Sequence, residues 1–237
     1  MASSPPAQGT QAALIIGASR GLGLGLAEEY LKRGWHVVGT VRGTAQTGLH
    51  ALQAKSGGRL EIENVDINEP VQVDALKQRL HGRSFALLFV NAGVNTARET
   101  TIADVATDEF NRLMVTNALS PMRTIEVLDE LVSPTGTIGA MSSGLASVAD
   151  NEQGGLEVYR ASKAALNTLM RSYAARHAGD RHPMVVIAPG WVRTDMGGAA
   201  ATLGISDSVP GVVDAIASRE GKPGLVYIDY QSKIVRW

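Results

Sequence analysis

The chain has 237 residues, 44% of them apolar and 19% charged, with a formal net charge of -1. That length suits one large α/β domain with a substantial core and is short for two. The charge balance offers no electrostatic case for nucleic acid or a membrane surface, and the absence of cysteine excludes disulfides, thiolate nucleophiles and cysteine metal sites.

Met1 to Gln11 is polar and carries Pro5 and Pro6, without the basic start and apolar centre of a signal peptide. A mobile lead-in over 1–11 is expected, followed by one domain over 12–237. No apolar run approaches the length of a membrane span, so cytoplasmic residence is the expectation.

Short apolar runs follow at Ala12 to Ile16, Val37 to Val41, Phe85 to Val90, Met184 to Ala188 and Leu225 to Ile228, with weaker ones at Leu60 to Val65 and Thr137 to Met141. They read as strands buried on both faces of a parallel sheet. Helical patterns lie between them. Leu22 to Arg33 stops at Gly34; Pro70 to Leu80 has Asn68 as a candidate N-cap. Asp108 to Leu131 is long, with Pro121 kinking or dividing it, and Val158 to His177 repeats apolar residues at helical spacing. Strands alternating with helices predict a Rossmann-type, doubly wound parallel sheet flanked by helices.

The first strand runs into Gly17-Ala18-Ser19-Arg20-Gly21-Leu22-Gly23. A glycine turn between strand and helix lets a pyrophosphate approach the backbone and meet the helix N-terminus. Alone the signal is weak, and a tight turn without a ligand would look the same. In dinucleotide folds an acid about 20 residues past the first glycine often binds the ribose. Here the second strand, His36 to Arg42, has no acid. Arg42 at its end and Arg20 in the turn could grip a 2′-phosphate, which argues for NADP over NAD. Two solvated surface arginines are the plain alternative. Gly17-Ala18-Ser19-Arg20-Gly21 also matches the G-x-S-x-G of hydrolase nucleophile elbows, with Ser19 as nucleophile. Only one strand precedes it, which is early for that motif.

Tyr159 and Lys163 are four apart in a helical stretch and share a face. A phenol with a pKa of about 10 is a poor acid or base at neutral pH, and a neighbouring ammonium lowers that value. Without other motifs such a pair is an ordinary surface contact, Ser142-Ser143 ordinary turn chemistry, and Asn117 a helix brace. His36, His50, His81, His177 and His182 lack metal-ligand spacing, so no metal is expected.

Taken together, these residues resemble the short-chain dehydrogenase/reductase family from Ala12 to Trp237. Gly17, Gly21 and Gly23 match its G-x-x-x-G-x-G, and Asn91-Ala92-Gly93 the segment after its fourth strand. Asn117 matches the asparagine of its central helix, and Ser143 its serine. Tyr159 and Lys163 match its Y-x-x-x-K, and Pro189-Gly190 with Thr194 its P-G-x-x-x-T. The ending, Val226 to Trp237, and Met141 to Gly144 look most like the branch of Sniffer carbonyl reductases and C-factor-like proteins. Two departures stand out. Ile16 replaces the usual threonine, which removes one hydrogen bond bracing the turn. The Ser143–Tyr159 interval is long, with an extra loop at Asn151 to Gly155, which leaves Ser142 as the competitor of Ser143.

The resemblance implies NADP(H) on the glycine turn, contacted by Ser19, Arg20, Leu22 and Arg42. It puts Asp66 and Ile67 at the adenine, Asn91, Ala92 and Gly93 at the ribose, and Pro189, Gly190, Val192 and Thr194 at the carboxamide. Ser143 would orient a carbonyl or alcohol, Tyr159 exchange the proton, Lys163 lower the Tyr159 pKa and bind the ribose, and Asn117 support a water path. The segment Asp195 to Gly204, rich in small residues, suggests an open substrate site, with Trp191 as a wall or a packing residue. A homodimer or homotetramer through the two long helices is implied. A dinucleotide-binding signalling protein with little turnover is the competing function.

Overall fold

A computed structural model describes residues 11–95 and 101–237. The expected lead-in thus lies outside the described residues, except Gln11, whose carbonyl accepts from His36 N at 3.0 Å. Seven strands form one parallel sheet: β1 Ala12–Ile16, β2 His36–Val41, β3 Leu60–Asn64, β4 Phe85–Val90, β5 Val132–Met141, β6 Pro183–Ala188 and β7 Gly224–Asp229. Their order is β3-β2-β1-β4-β5-β6-β7. The chain winds outward from β1 to β3 and then restarts beside β1 with β4, so the strand order reverses between β1 and β4. In open α/β sheets that reversal opens a crevice at the C-terminal strand ends.

All seven expected strands form. The central runs β1, β4 and β6 carry no polar side chain, because helices cover both faces there, whereas β3 at the sheet edge alternates with Glu61 and Glu63. Leu14, Ile16, Leu88, Ile138 and Val186 point to one face, which packs on α3 Pro70–Arg79, α5 Ser120–Leu128 and α6 Glu157–Arg176. Ala13, Ile15, Phe89, Val185 and Ile187 point to the other, under α1 Gly21–Lys32 and α7 Ile205–Ala217. Burying each such Leu, Ile or Phe contributes about 1.5–3 kcal/mol before entropy is counted. β5 begins five residues earlier than expected. Its register with β4 shifts between Phe85 and Leu87, and Pro134 and Gly136 in the irregular stretch hid the strand from periodicity.

The helices needed more correction. The cap of α3 is Glu69, not Asn68, and it makes no side-chain cap bond. Asn68 donates to Thr116 Oγ1 instead, at 3.1 Å. The long central helix is α4 Thr107–Met114, a π-type turn at Val115–Leu119, then α5. The irregularity immediately precedes Pro121, which has no N–H to donate to the preceding turn of this continuous helical stretch. Two helices, α2 Gly48–Gln53 and α7, form where the sequence gives no clear helical period. α2 is short, and α7 carries Pro210 inside it. The extra loop before α6 does form: Gly154, Gly155 and Leu156 all have positive φ and turn the chain into the helix.

Candidate active site

A cleft of about 260 Å³ lies at the C-terminal ends of the central strands. The glycine turn forms its floor. Gly17 has φ +87°, and a Cβ there would lie 2.8 Å from Ala92 N, so only glycine lets the β1 and β4 turns meet. Gly23 lies behind the turn: its Cβ would stand 2.0 Å from Gly17 O. The bond expected to be lost with Ile16 is replaced. Gly17 N donates to Thr40 Oγ1 and Asn91 Nδ2 donates to Gly17 O, each at 2.8 Å. At the start of α1 no acidic residue stands in the first turn and the cap residue, Arg20, makes no side-chain cap bond. Its first N–H groups thus keep their affinity for an anion.

Ser19, Arg20, Gly21, Leu22, Arg42, Asp66 and Ile67 line the same cleft, as do Asn91, Ala92, Gly93, Pro189 and Thr194. Gly190 and Val192 do not line it: Gly190 is exposed, and Val192 is buried and bridged to Leu203. Arg20 pairs with Asp195 at 2.8 Å, and Arg42 approaches Asp66 to 3.9 Å. Both guanidinium groups are exposed, and exposed pairs of this kind are worth about 0–1 kcal/mol. They are weak enough to be exchanged for a phosphate. The Asp66 carboxylate also accepts from Asn68 N at 3.0 Å. Trp191 is bonded through Nε1 to Gly197 O at 2.9 Å.

Tyr159 and Lys163 project from α6 into the cleft, as their spacing predicts. The expected electrostatics differ. Burial pushes the Tyr159 phenol above its ordinary range, a hydrogen bond with the Ser143 side chain pulls it partly back, and Lys163 exerts no resolved pull. Lys163 is itself buried, which pushes its ammonium down to about 8. Its Nζ donates to Met141 O at 3.0 Å. A Cβ on Gly93 would lie 3.2 Å from both Lys163 Nζ and Asn117 Oδ1, so the bare glycine lets both approach the β4 turn.

The serine pair divides its work. Ser142 faces the cleft but donates its hydroxyl to Asn167 Oδ1 at 2.7 Å. Ser143 does not line the cavity, yet its side chain is the one near enough to Tyr159 to draw the phenol's proton affinity back down. Asn117, fully buried in the π-type turn, accepts from Val94 N at 2.8 Å and donates to Val94 O at 2.8 Å and Ser162 Oγ at 3.0 Å. Both amide protons are used, so its side chain has no free donor for a water path. Single π turns inside helices frequently mark functional sites.

Thr40, Asn68 and Thr116 also line the cleft and were not singled out from sequence. A threonine within an apolar strand and an Asn beside Asp66-Ile67 carry no local signal. None of the five histidines lines this cleft, and no metal-holding cluster occurs among the described residues. No helix among those residues is long and apolar enough to cross a membrane.

The chain is similar over nearly its whole length to solved proteins of one kind. A protein from Burkholderia multivorans described as a short-chain dehydrogenase/reductase, with bound NADP, is 56% identical, with a TM-score of 0.95 over 96% of this chain and 100% of that one. The carbonyl reductase Sniffer of D. melanogaster is 28% identical, with a TM-score of 0.86 and the same coverage. Among curated proteins, the C-signal of Myxococcus xanthus is 36% identical over 153 residues, 64% of this chain and 92% of that protein. The short chain dehydrogenase family model matches residues 11–202, which include the glycine turn, Tyr159 and Lys163. The chain belongs to the short-chain dehydrogenase/reductase family, in its carbonyl reductase-like branch.

Proposed function

We propose that the chain is an NADP-dependent oxidoreductase that interconverts a small-molecule carbonyl and its alcohol. The observation that carries this reading is that Tyr159 and Lys163 enter the same cleft as Arg20, Arg42 and the glycine turn, with Ser143 beside the phenol at its edge. The residues present fit NADP(H). Gly17 and Gly23 let the turn fold closely on the backbone of the β4 turn and of Gly17 itself, the first turn of α1 is free of acids, and two exposed guanidinium groups border the cleft as a 2′-phosphate would require. The NADP bound by the Burkholderia protein at 56% identity supports the same cofactor.

When bound, NADPH supplies the hydride. The chain supplies orientation and the proton. Ser143 holds the substrate oxygen and Tyr159 donates to it. Because burial keeps the phenol above its ordinary range, it is protonated at neutral pH, the state that carbonyl reduction requires. Lys163 ties α6 to Met141 O and offers its ammonium to the ribose beside Gly93. Asn117 braces the β4 turn against α6. Met196 and Leu203 are the only large apolar side chains in Asp195 to Gly204, which favours an open site for carbonyls of moderate size. Phe110, Leu119 and Leu169 are exposed apolar residues on α4, the π-type turn and α6, which supports a homodimer or homotetramer built on these helices.

The test is NADPH oxidation over a panel of aldehydes and ketones. Tyr159→Phe should lower turnover about 10²–10⁴-fold while NADPH still binds, the usual weight of general acid catalysis. Wild-type turnover in that variant would remove Tyr159 from the role. The likeness to a C-signal protein keeps a signalling role as the second reading. Tight NADPH binding with no oxidation by any carbonyl would favour it.

A further inference from the structure

Two backbone carbonyls of the strand–loop junction carrying the serine pair are held by side chains. Met141 O accepts from Lys163, and Ser143 O accepts from the Tyr227 hydroxyl. Ser142 N, between them, donates to Ile187 O at 2.8 Å. Tyr227 lies on β7, far from the active-site motifs in sequence, and is almost fully buried. Burial keeps its phenol protonated and a donor, with Asn167 and Ser142 beside it easing that rise only partly.

The residues after β7 hold the other end of the same loop. A turn over Asp229 to Lys233 sends the chain back along β7, where Ile234 bridges Ile228 and Val235 N donates to Tyr227 O at 2.9 Å. Trp237 then packs its ring on Tyr227, 5.3 Å between centroids, with the Arg171 guanidinium 4.7 Å from the Trp237 ring centroid. Trp237 O accepts from Ala149 N at 3.1 Å, and Arg236 Nε donates to Asp150 at 2.6 Å. Asp150 in turn is bonded to Ser147 through both its N–H and its carboxylate, each at 3.0 Å. The loop from Ser143 to Asp150 is thus fastened at its first residue by Tyr227 and at its last two by Trp237 and Arg236.

We infer that Tyr227 is a positioning residue for Ser143, and that Arg236 and Trp237 complete a clamp setting where the Ser143 hydroxyl meets Tyr159 and substrate. The inference rests on the assignment of Ser143 to the substrate oxygen. Ser143 has an extended backbone, and its Oγ already accepts from Leu145 N at 3.2 Å. The direction of its hydroxyl proton therefore depends on how its own peptide is held. Removing the Tyr227 hydroxyl leaves Ser143 O held by Ala146 N alone, at 2.9 Å, without touching cofactor or substrate. Misplacement of about 1 Å at a reacting centre is costly to rate.

The experiment compares wild type, Tyr227→Phe, Arg236→Ala and Ser143→Ala, and the double variants of each of the first two substitutions with Ser143→Ala. The carbonyl is whichever the wild type reduces best, and single-turnover rates with enzyme in excess reach the slow backgrounds. Tyr227→Phe should lower kcat about tenfold, the scale of one hydrogen bond, with NADPH affinity within about twofold of wild type. Arg236→Ala, at an exposed position, should lower it about two- to threefold. In the Ser143→Ala background neither should lower the rate measurably further, because the positioned group is gone. Unchanged kcat in Tyr227→Phe, or an equal loss with and without Ser143, overturns the inference. If Tyr227→Phe does not fold, the Arg236→Ala pair decides by the same comparison. A wild type that reduces no carbonyl sinks the functional reading itself; an active wild type with an indifferent Tyr227→Phe sinks only this inference.

Discussion

Lys163 carries a charge that its surroundings resist. Its side chain is buried and its pKa falls from 10.5 to about 8. Between those values the unfolded chain binds more protons at this site than the fold does, so the stability it contributes rises with pH across that window. The buried phenols of Tyr30, Tyr159 and Tyr227 act in the opposite sense. Their pKa values are raised, so their contribution is complete below about 10 and is lost as pH climbs further. Wild type should therefore gain stability from pH 7.5 to 9.5 relative to Lys163→Met, which has no proton to lose. Urea midpoints at the two pH values measure this, and equal slopes for the two proteins would refute a strained ammonium. The i, i+4 spacing of Tyr159 and Lys163 was legible in sequence, but the direction of the ammonium was not. Met141 O lies 22 residues away along the chain, and only the sheet brings it to Lys163.

Among the elements, the β1–α1 turn is the most constrained. A methyl group at Gly23 would collide with Gly17 O, which is backbone and cannot rotate aside. Gly23→Ala should cost about 1–3 kcal/mol of unfolding free energy, as overpacking does, and weaken NADPH binding. Gly179→Ala, where nothing lies within 4 Å, is the control and should be near neutral. Chemical denaturation and NADPH titration of both variants check this; parity between them would count against the close approach. The strands were readable because burial on both faces leaves continuous apolar runs. Helix α7 was not, because its first turn follows a glycine-rich stretch and Pro210 interrupts it. Its place is set by packing: a Cβ on Gly25 of α1 would lie 2.7 Å from Ile205 Cγ2, so the two helices meet through a glycine. The break at Val115–Leu119 had a sequence mark in Pro121, just after it, but its π-type form did not; it accompanies the burial of Asn117 against Val94 and Ser162.

For the whole molecule, cofactor binding should appear as stability. At 100 times its Kd a ligand adds about 2.7 kcal/mol, roughly 5–10 °C of Tm for a chain of this size. NADPH should produce that shift, NADH a smaller one, and the double substitution Arg20→Ala with Arg42→Ala should bring the two together. Thermal unfolding with each nucleotide measures it, and equal shifts in the wild type would remove the 2′-phosphate role. By itself the sequence determined the strand series, the sheet class, the glycine turn and the shared helix face of Tyr159 and Lys163. Those features are local, written in periodicity, in glycines at strand ends and in fixed short spacings. Only the tertiary structure decided which serine hydroxyl meets the phenol, that burial outweighs the ammonium in setting that phenol's proton affinity, and that Thr40 braces Gly17 in place of a residue at position 16. It also decided that β7 and the residues after it hold the serine loop. Each of these depends on groups far apart in the chain, and on desolvation that exists only once the sheet has brought them together.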